Sequence, residues 1–181
     1  RWTGRELGDV VITRLKNLLG VFIAATLYFS LVYHLTNLYA TEHHGIEAFV
    51  LMKGGIITNM YWLGQIILGT LIPLALIYCP RPAKSNTMTV VASVLVILGG
   101  LATLYVILIG GQSYTMTLVP GYEATSTFAD GAITVYSPSI WEFMLGMGGV
   151  AIALVIVTLA MKIFRLLPDS LSDKIADPHK S

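Results

Sequence analysis

The chain has 181 residues, 55% of them hydrophobic and only 12% charged, with a mean hydropathy of +0.75, which is more apolar surface than a soluble domain can hide. A formal charge of +1 gives no bulk electrostatic case for nucleic acid, so the basic residues matter through their placement. A single cysteine, Cys79, excludes an internal disulfide and a cysteine-ligated metal or cluster.

The polar and charged residues before Leu18 read as a segment between helices. They lack the layout of a cleavable signal peptide, so the chain is expected to be part of something longer. Crossing the hydrocarbon core takes about 20 apolar residues in a helix. Four segments meet that length without a lysine, arginine, aspartate or glutamate: Leu18 to Tyr39, Met60 to Tyr78, Met88 to Ile109, and Phe143 to Met161. The prediction is an all-α integral membrane bundle of four transmembrane helices over 18–161, with a cytoplasmic N-terminal segment over 1–17 and a cytoplasmic tail over 162–181.

Pro80, Pro82, Ser85 and Asn86 mark a short turn, Cys79 to Thr87, which makes the second and third helices antiparallel neighbours. The connections Ala40 to Asn59 and Gly110 to Glu142 are longer and read as loops. Lysine and arginine accumulate in short cytoplasmic segments. Here Arg1, Arg5, Arg14, Lys16, Arg81, Lys84, Lys162, Arg165, Lys174 and Lys180 fall on one face and Lys53 alone on the other, beside Glu42, Glu47, Glu123, Asp130 and Glu142. This places both termini in the cytoplasm and makes the outer face acidic. Tyr39, Tyr61, Trp62, Tyr78 and Trp141 at helix ends fit an interfacial aromatic belt.

On the first helix Thr26, Ser30, Tyr33, Asn37 and Thr41 recur every three or four residues and form one polar stripe, with His34 beside it. In lipid such a stripe faces protein, a cavity or a ligand. Helix-to-helix hydrogen bonding accounts for the threonines and serine. Tyr33, His34 and Asn37 cluster within about one turn, where they serve either as structural hydrogen bonders or as donors to the carbonyl oxygens of a quinone head group.

On the second helix Tyr61, Gln65, Gly69 and Pro73 share a face, the proline being expected to kink the helix and free a carbonyl. The fourth repeats the pattern with Glu142, Gly146, Gly149 and Ala153, small residues that permit close helix approach. Glu142 is either an N-terminal charge favoured by the helix dipole or a proton donor facing a cavity, with Gln65 and Gln112 as further members of a proton route. His43 and His44, with Glu42 and Glu47, read as a solvated loop and not as a metal site, because no second helix supplies a partner ligand. The glycine pair before Gln112 lacks the lysine and the spacing of a phosphate loop.

The run Tyr105-Val-Ile-Leu-Ile-Gly-Gly-Gln112, then Tyr136-Ser-Pro-Ser-Ile-Trp-Glu142 entering a glycine-rich last helix that ends Leu166-Leu167-Pro168, resembles the C-terminal part of the polysulfide-reductase membrane-subunit family, also called NrfD-like and including the HybB-like branch. The resemblance implies a quinone-reactive membrane-anchor subunit of a respiratory oxidoreductase, with menaquinone or ubiquinone as substrate. It implies no covalently bound cofactor and no metal in this chain. Electrons would pass to or from iron-sulfur clusters in a ferredoxin-like partner subunit, alongside other membrane and catalytic subunits. Members have roughly eight to ten membrane-crossing helices of ordinary length, so the chain would be part of such a subunit. Tyr136, Pro138 and Ser139 would then shape partner contact, and the long outer loop with Tyr114, Pro120, Tyr122 and Phe128 would dock a partner. Two other classes compete: part of a small transporter lined by the polar stripe and Pro73, and a purely structural membrane bundle.

Overall fold

The computed structural model describes residues 8–79, 86–115, 131–134, 136–164 and 170–172. Among them, four helices are long and apolar enough to cross a membrane: α1 (Asp9–Tyr39), α3 (Ile56–Tyr78), α4 (Asn86–Ser113) and α5 (Ile140–Ile163). The described residues carry no strand, so the fold is all-α with the four candidate membrane spans that the apolar runs predict. Each helix outlasts its apolar run. Val10 to Asn17 contains no glycine or proline, so α1 starts at Asp9 and not at Leu18. Gln112 likewise sits in the last helical turn of α4 and not in a loop.

The chain divides into two compact units, Arg14–Val135 and Arg1–Thr13 with Tyr136–Ser181. In the first, α3 and α4 run antiparallel, as Gly64 against Ala102, Gly69 against Gly99 and Ile77 against Ala92 show. At Gly69 and Gly99 the contact is backbone on backbone, and a Cβ on either would collide with the Cα of the other. Lipid tails are as apolar as the helices, so this close approach, with its dispersion contacts, supplies association that the hydrophobic effect cannot. Two apolar clusters complete the unit. Ile23 of α1 joins Ile77 and Ala92 at one end, while Phe49, Val50, Ile57, Tyr61 and Val106 join at the other.

Three stretches wind more widely than an α-helix, with π-type turns: Phe49–Lys53, Met60–Leu71 in α3 and Val106–Gly110 in α4. The second ends just before Pro73, whose missing N–H and ring are incompatible with an undisturbed ladder. In place of the expected kink with a freed carbonyl, the helix is widened ahead of the proline, and the Thr70 hydroxyl donates to the Gln65 carbonyl at 2.9 Å.

The segment from Ala40 to Asn59 is a correction to the loop reading. It is helical: a 3-10 turn at Thr41–His43, α2 at His44–Ala48, then the π turn at Phe49–Lys53. The apolar residues around Ile46, Phe49 and Val50 are too few to cross a membrane but enough to pack into the end of the bundle. Its open carbonyls are satisfied from α3. Thr58 donates to Phe49 O at 3.1 Å, and the Trp62 indole donates to Leu51 O at 3.0 Å. Gly55 makes the reversal into α3 at φ 57°, a conformation that a Cβ would strain. His44 is exposed but begins α2 instead of lying in a loop, and its Nε2 lies 2.6 Å from the Leu38 carbonyl in the last turn of α1.

In the second unit, Gly8 N–H donates to the Leu171 carbonyl at 2.9 Å, joining the two ends of the described chain. Ser139 and Glu142 form a reciprocal capping box at the start of α5. Within that unit a Cβ at Gly146 or Gly149 would meet open space, so the close approach expected of this small-residue row is not found there. Residues 165–169, including Leu166 to Pro168, lie outside the described residues, as do Pro120, Tyr122, Phe128 and the turn residues 80–85.

Candidate functional site

Thr26, Ser30 and Tyr33 of the α1 polar stripe border a cavity of about 410 Å³ within the Arg14–Val135 unit, and Asn37 and Thr41 do not line it. Thr26, Ser30, Tyr33 and His34 of α1 line it, with Ile46 and Glu47 of α2, Val50 of the π turn after it, Gln65 of α3, and Thr103, Val106, Ile107 and Gly111 of α4. That volume lies in the range of about 300–1,000 Å³ usual for small-molecule sites, and its mixture of apolar walls with a few polar groups is theirs as well. All three π-type stretches contribute a wall residue: Val50, Gln65, and Val106 with Ile107. Wide turns of this kind occur where a helix must re-aim side chains.

The centre of the site is an acid that the sequence reading placed on the acidic outer face. Glu47 is 2% exposed. Its Oε2 lies 2.7 Å from His34 Nδ1, and its Oε1 accepts from Asn37 Nδ2 at 2.9 Å. A buried carboxylate is tolerated when its oxygens are hydrogen-bonded and its charge is paired. His34 and Asn37 supply those hydrogen bonds, one to each carboxylate oxygen. With Nδ1–H donated to the carboxylate, Nε2 is the ring nitrogen left to take a proton.

A second polar chain runs alongside. Gln65 Nε2 donates to Ser30 Oγ at 2.9 Å, and the buried Tyr61 side chain shares a hydrogen bond with Ser30. The Tyr61 ring stands edge-on to the His34 imidazole at 4.7 Å between centroids, and Tyr33 flanks its other neighbour contact at 5.2 Å. Aromatic edges and faces on both sides limit how far the imidazole can rotate.

Of the residues singled out from the sequence, Tyr33, His34, Asn37 and Gln65 are brought together here. Gln112 is exposed on α4 and lines neither this cavity nor the smaller one beside it. Glu142 lies in the other unit, where its carboxylate accepts from Ser139 N at 2.6 Å and from Ser139 Oγ at 2.9 Å, with Tyr136 hydrogen-bonding the same side chain. Tyr136, Ser139 and Glu142 therefore form one local cluster around a helix start. Pro138, just before the cap, is exposed. Tyr114, expected in a docking loop, instead packs its ring against Phe49 at 5.6 Å. Among the described residues no group of histidine, cysteine, aspartate and glutamate side chains could hold a metal ion.

A multi-helix membrane protein with a buried acid–imidazole pair at an intramembrane cavity is the class that fold and site define. Residues 1–116 match the family described as polysulphide reductase, NrfD, and the chain belongs to that family. The match covers the first three spans, including the cavity, whereas the motif-level resemblance rested chiefly on the last two. The chain is also similar to the Hdr-like menaquinol oxidoreductase integral membrane subunit of Archaeoglobus fulgidus, with 26% identity over 180 residues. That alignment takes in 98% of this chain and 45% of the relative, so the chain spans less than half of the relative's length. No solved structure matches.

Proposed function

We propose that the chain is the quinone-handling part of the membrane-anchor subunit of an oxidoreductase complex, and that its cavity takes the head group of a menaquinol. The observation that carries this reading is the His34–Glu47 pair on the cavity wall. A quinol gives up two protons with its two electrons, and a site that oxidises it needs a base held within reach of the hydroxyl. His34 Nε2 takes that proton while Glu47 holds Nδ1–H and stabilises the imidazolium. Tyr33 and Gln65 offer hydrogen bonds to the second oxygen of the head group. The electrons pass singly to an iron-sulfur cluster of a ferredoxin-like partner subunit. Family membership and the relative named a menaquinol oxidoreductase subunit support the quinone, and the same kinship supports a complex with other subunits.

The complex would sit in the cytoplasmic membrane with both termini on the cytoplasmic side. The placement of Arg14, Lys16 and Lys162 at the helix ends supports that orientation, as does the hydrogen bond from Gly8 to Leu171 near the two chain ends. The test is a titration of the purified complex with a fluorescent hydroxyquinoline analogue of quinol. Wild type should quench the fluorescence saturably and compete with menaquinone, and His34→Leu should lose that binding at least about tenfold. Equal binding by His34→Leu would remove the cavity from consideration.

A further inference from the structure

A smaller cavity of about 150 Å³ adjoins the first, and Thr26, Gln65 and Thr103 line both. Its remaining walls include Leu19, Phe22 and Ile23 of α1 and Val96 of α4, so it extends away from His34 toward the end of α1 that carries Arg14 and Lys16.

The hydroxyls at this junction are already committed as donors within their own helices. Thr26 donates to Phe22 O at 2.9 Å, Thr103 to Gly99 O at 2.9 Å, and Thr70, on the wall of the smaller cavity, to Gln65 O. Gln65 spends an amide N–H on Ser30, which leaves its amide oxygen as an unused acceptor. The junction thus presents hydroxyl and amide oxygens free to accept, beside the second amide N–H of Gln65. A water molecule, with two protons to donate, fits such a set, and a cavity holds water when about two to four polar partners are present. At roughly 30 Å³ per water the smaller cavity has room for more than one. No titratable side chain lines it, so any proton crossing it must travel on water.

We propose that Thr26, Gln65 and Thr103 form a hydrated neck through which protons collected by His34 leave toward the Arg14 and Lys16 end of the bundle. This rests on the quinol reading above. Quinol loses two electrons to the one-electron iron-sulfur acceptor of the partner and releases two protons. Each proton passes from a quinol hydroxyl to His34 Nε2, then to water at the neck. The titratable groups facing the route are His34, Glu47 and Tyr33, all on the larger cavity.

The test uses the whole complex in proteoliposomes, with a water-soluble quinol, an electron acceptor and a trapped pH dye. Thr26→Val with Thr103→Val keeps the shape of both side chains and removes both acceptor oxygens. Binding of the hydroxyquinoline analogue should stay within about twofold of wild type, while turnover and proton release fall about tenfold and the solvent deuterium isotope effect rises. Thr26→Ser with Thr103→Ser should restore all three. Turnover and isotope effect equal to wild type in the double valine variant would overturn the neck. So would loss of analogue binding in that variant alone, which would mean that the two hydroxyls hold the head group and not a water chain. If wild type itself binds no analogue, the quinol reading fails and the neck with it. Should the double variant not assemble, Thr103→Val alone is read by the same criteria.

Discussion

Glu47 and His34 stand thirteen residues apart in sequence and 2.7 Å apart in space, on different elements, with the acid supplied by α2 and the base by α1. Glu47→Gln keeps the volume and one acceptor oxygen but ends the charge pairing. Analogue binding should survive within a few fold while quinol-linked turnover falls at least about tenfold, because the imidazolium is no longer stabilised. Glu47→Ala should in addition lower the thermal unfolding midpoint, by an amount corresponding to about 1–3 kcal/mol for the polar partners left unpaired. Unchanged turnover in Glu47→Gln would reduce the pair to a packing device.

The Gly69–Gly99 contact makes a second prediction. Gly99→Val places side-chain atoms where the Gly69 backbone lies, and overpacking of this kind costs about 1–3 kcal/mol or more when only backbone can yield. The adjacent Gly100 has open space around its position, so Gly100→Ala should be neutral or slightly stabilising, by up to about 1 kcal/mol from helix propensity. Thermal unfolding in detergent separates the two, and equal midpoints would mean that the helices are not held at that crossing.

Gly55→Ala should destabilise by about 1–2 kcal/mol, since φ 57° puts a Cβ into a conformation that L-residues avoid. Gly148→Ala, within α5 and with no atom near its missing Cβ, is the matched control. Because Gly55 sets the reversal that presents Glu47, its variant should also weaken analogue binding. A stability loss with intact binding would separate the turn from the site.

Ser139→Ala removes one half of the capping box and should cost about 0.5–2 kcal/mol in α5. Glu142→Gln keeps an acceptor for the Ser139 N–H, so assembly and turnover should both persist. Lost turnover in an assembled Glu142→Gln complex would instead give the carboxylate a role in proton movement.

The spans were legible because about twenty apolar residues without charge have few other meanings, and the α1 stripe because its spacing repeats with the helix. Glu47 was not legible as a site residue. It sits in a stretch flanked by His43, His44 and Lys53, and charge near a chain reversal reads as solvated. The usable signal was the apolar set Ile46, Phe49 and Val50, spaced one, three and four residues around the same helical turn, which marks a face to be buried with Glu47 beside it. The wide winding of α3 was only half visible: Pro73 announces a disturbed ladder, but whether a kink or an expanded turn results depends on what Gly69 meets across the interface.

The Phe49–Lys53 turn is tied to α3 by two hydrogen bonds, Thr58 to Phe49 O and Trp62 to Leu51 O, and neither donor lines the cavity. A random mutagenesis screen for lost quinol oxidation should therefore return Thr58 and Trp62 along with His34. Ranked by distance from the cavity, those two positions would be filed as general stability defects. Their signature would differ from one: weakened analogue binding recovered by Trp62→His, which restores a ring N–H, and not by Trp62→Phe, which restores only the ring.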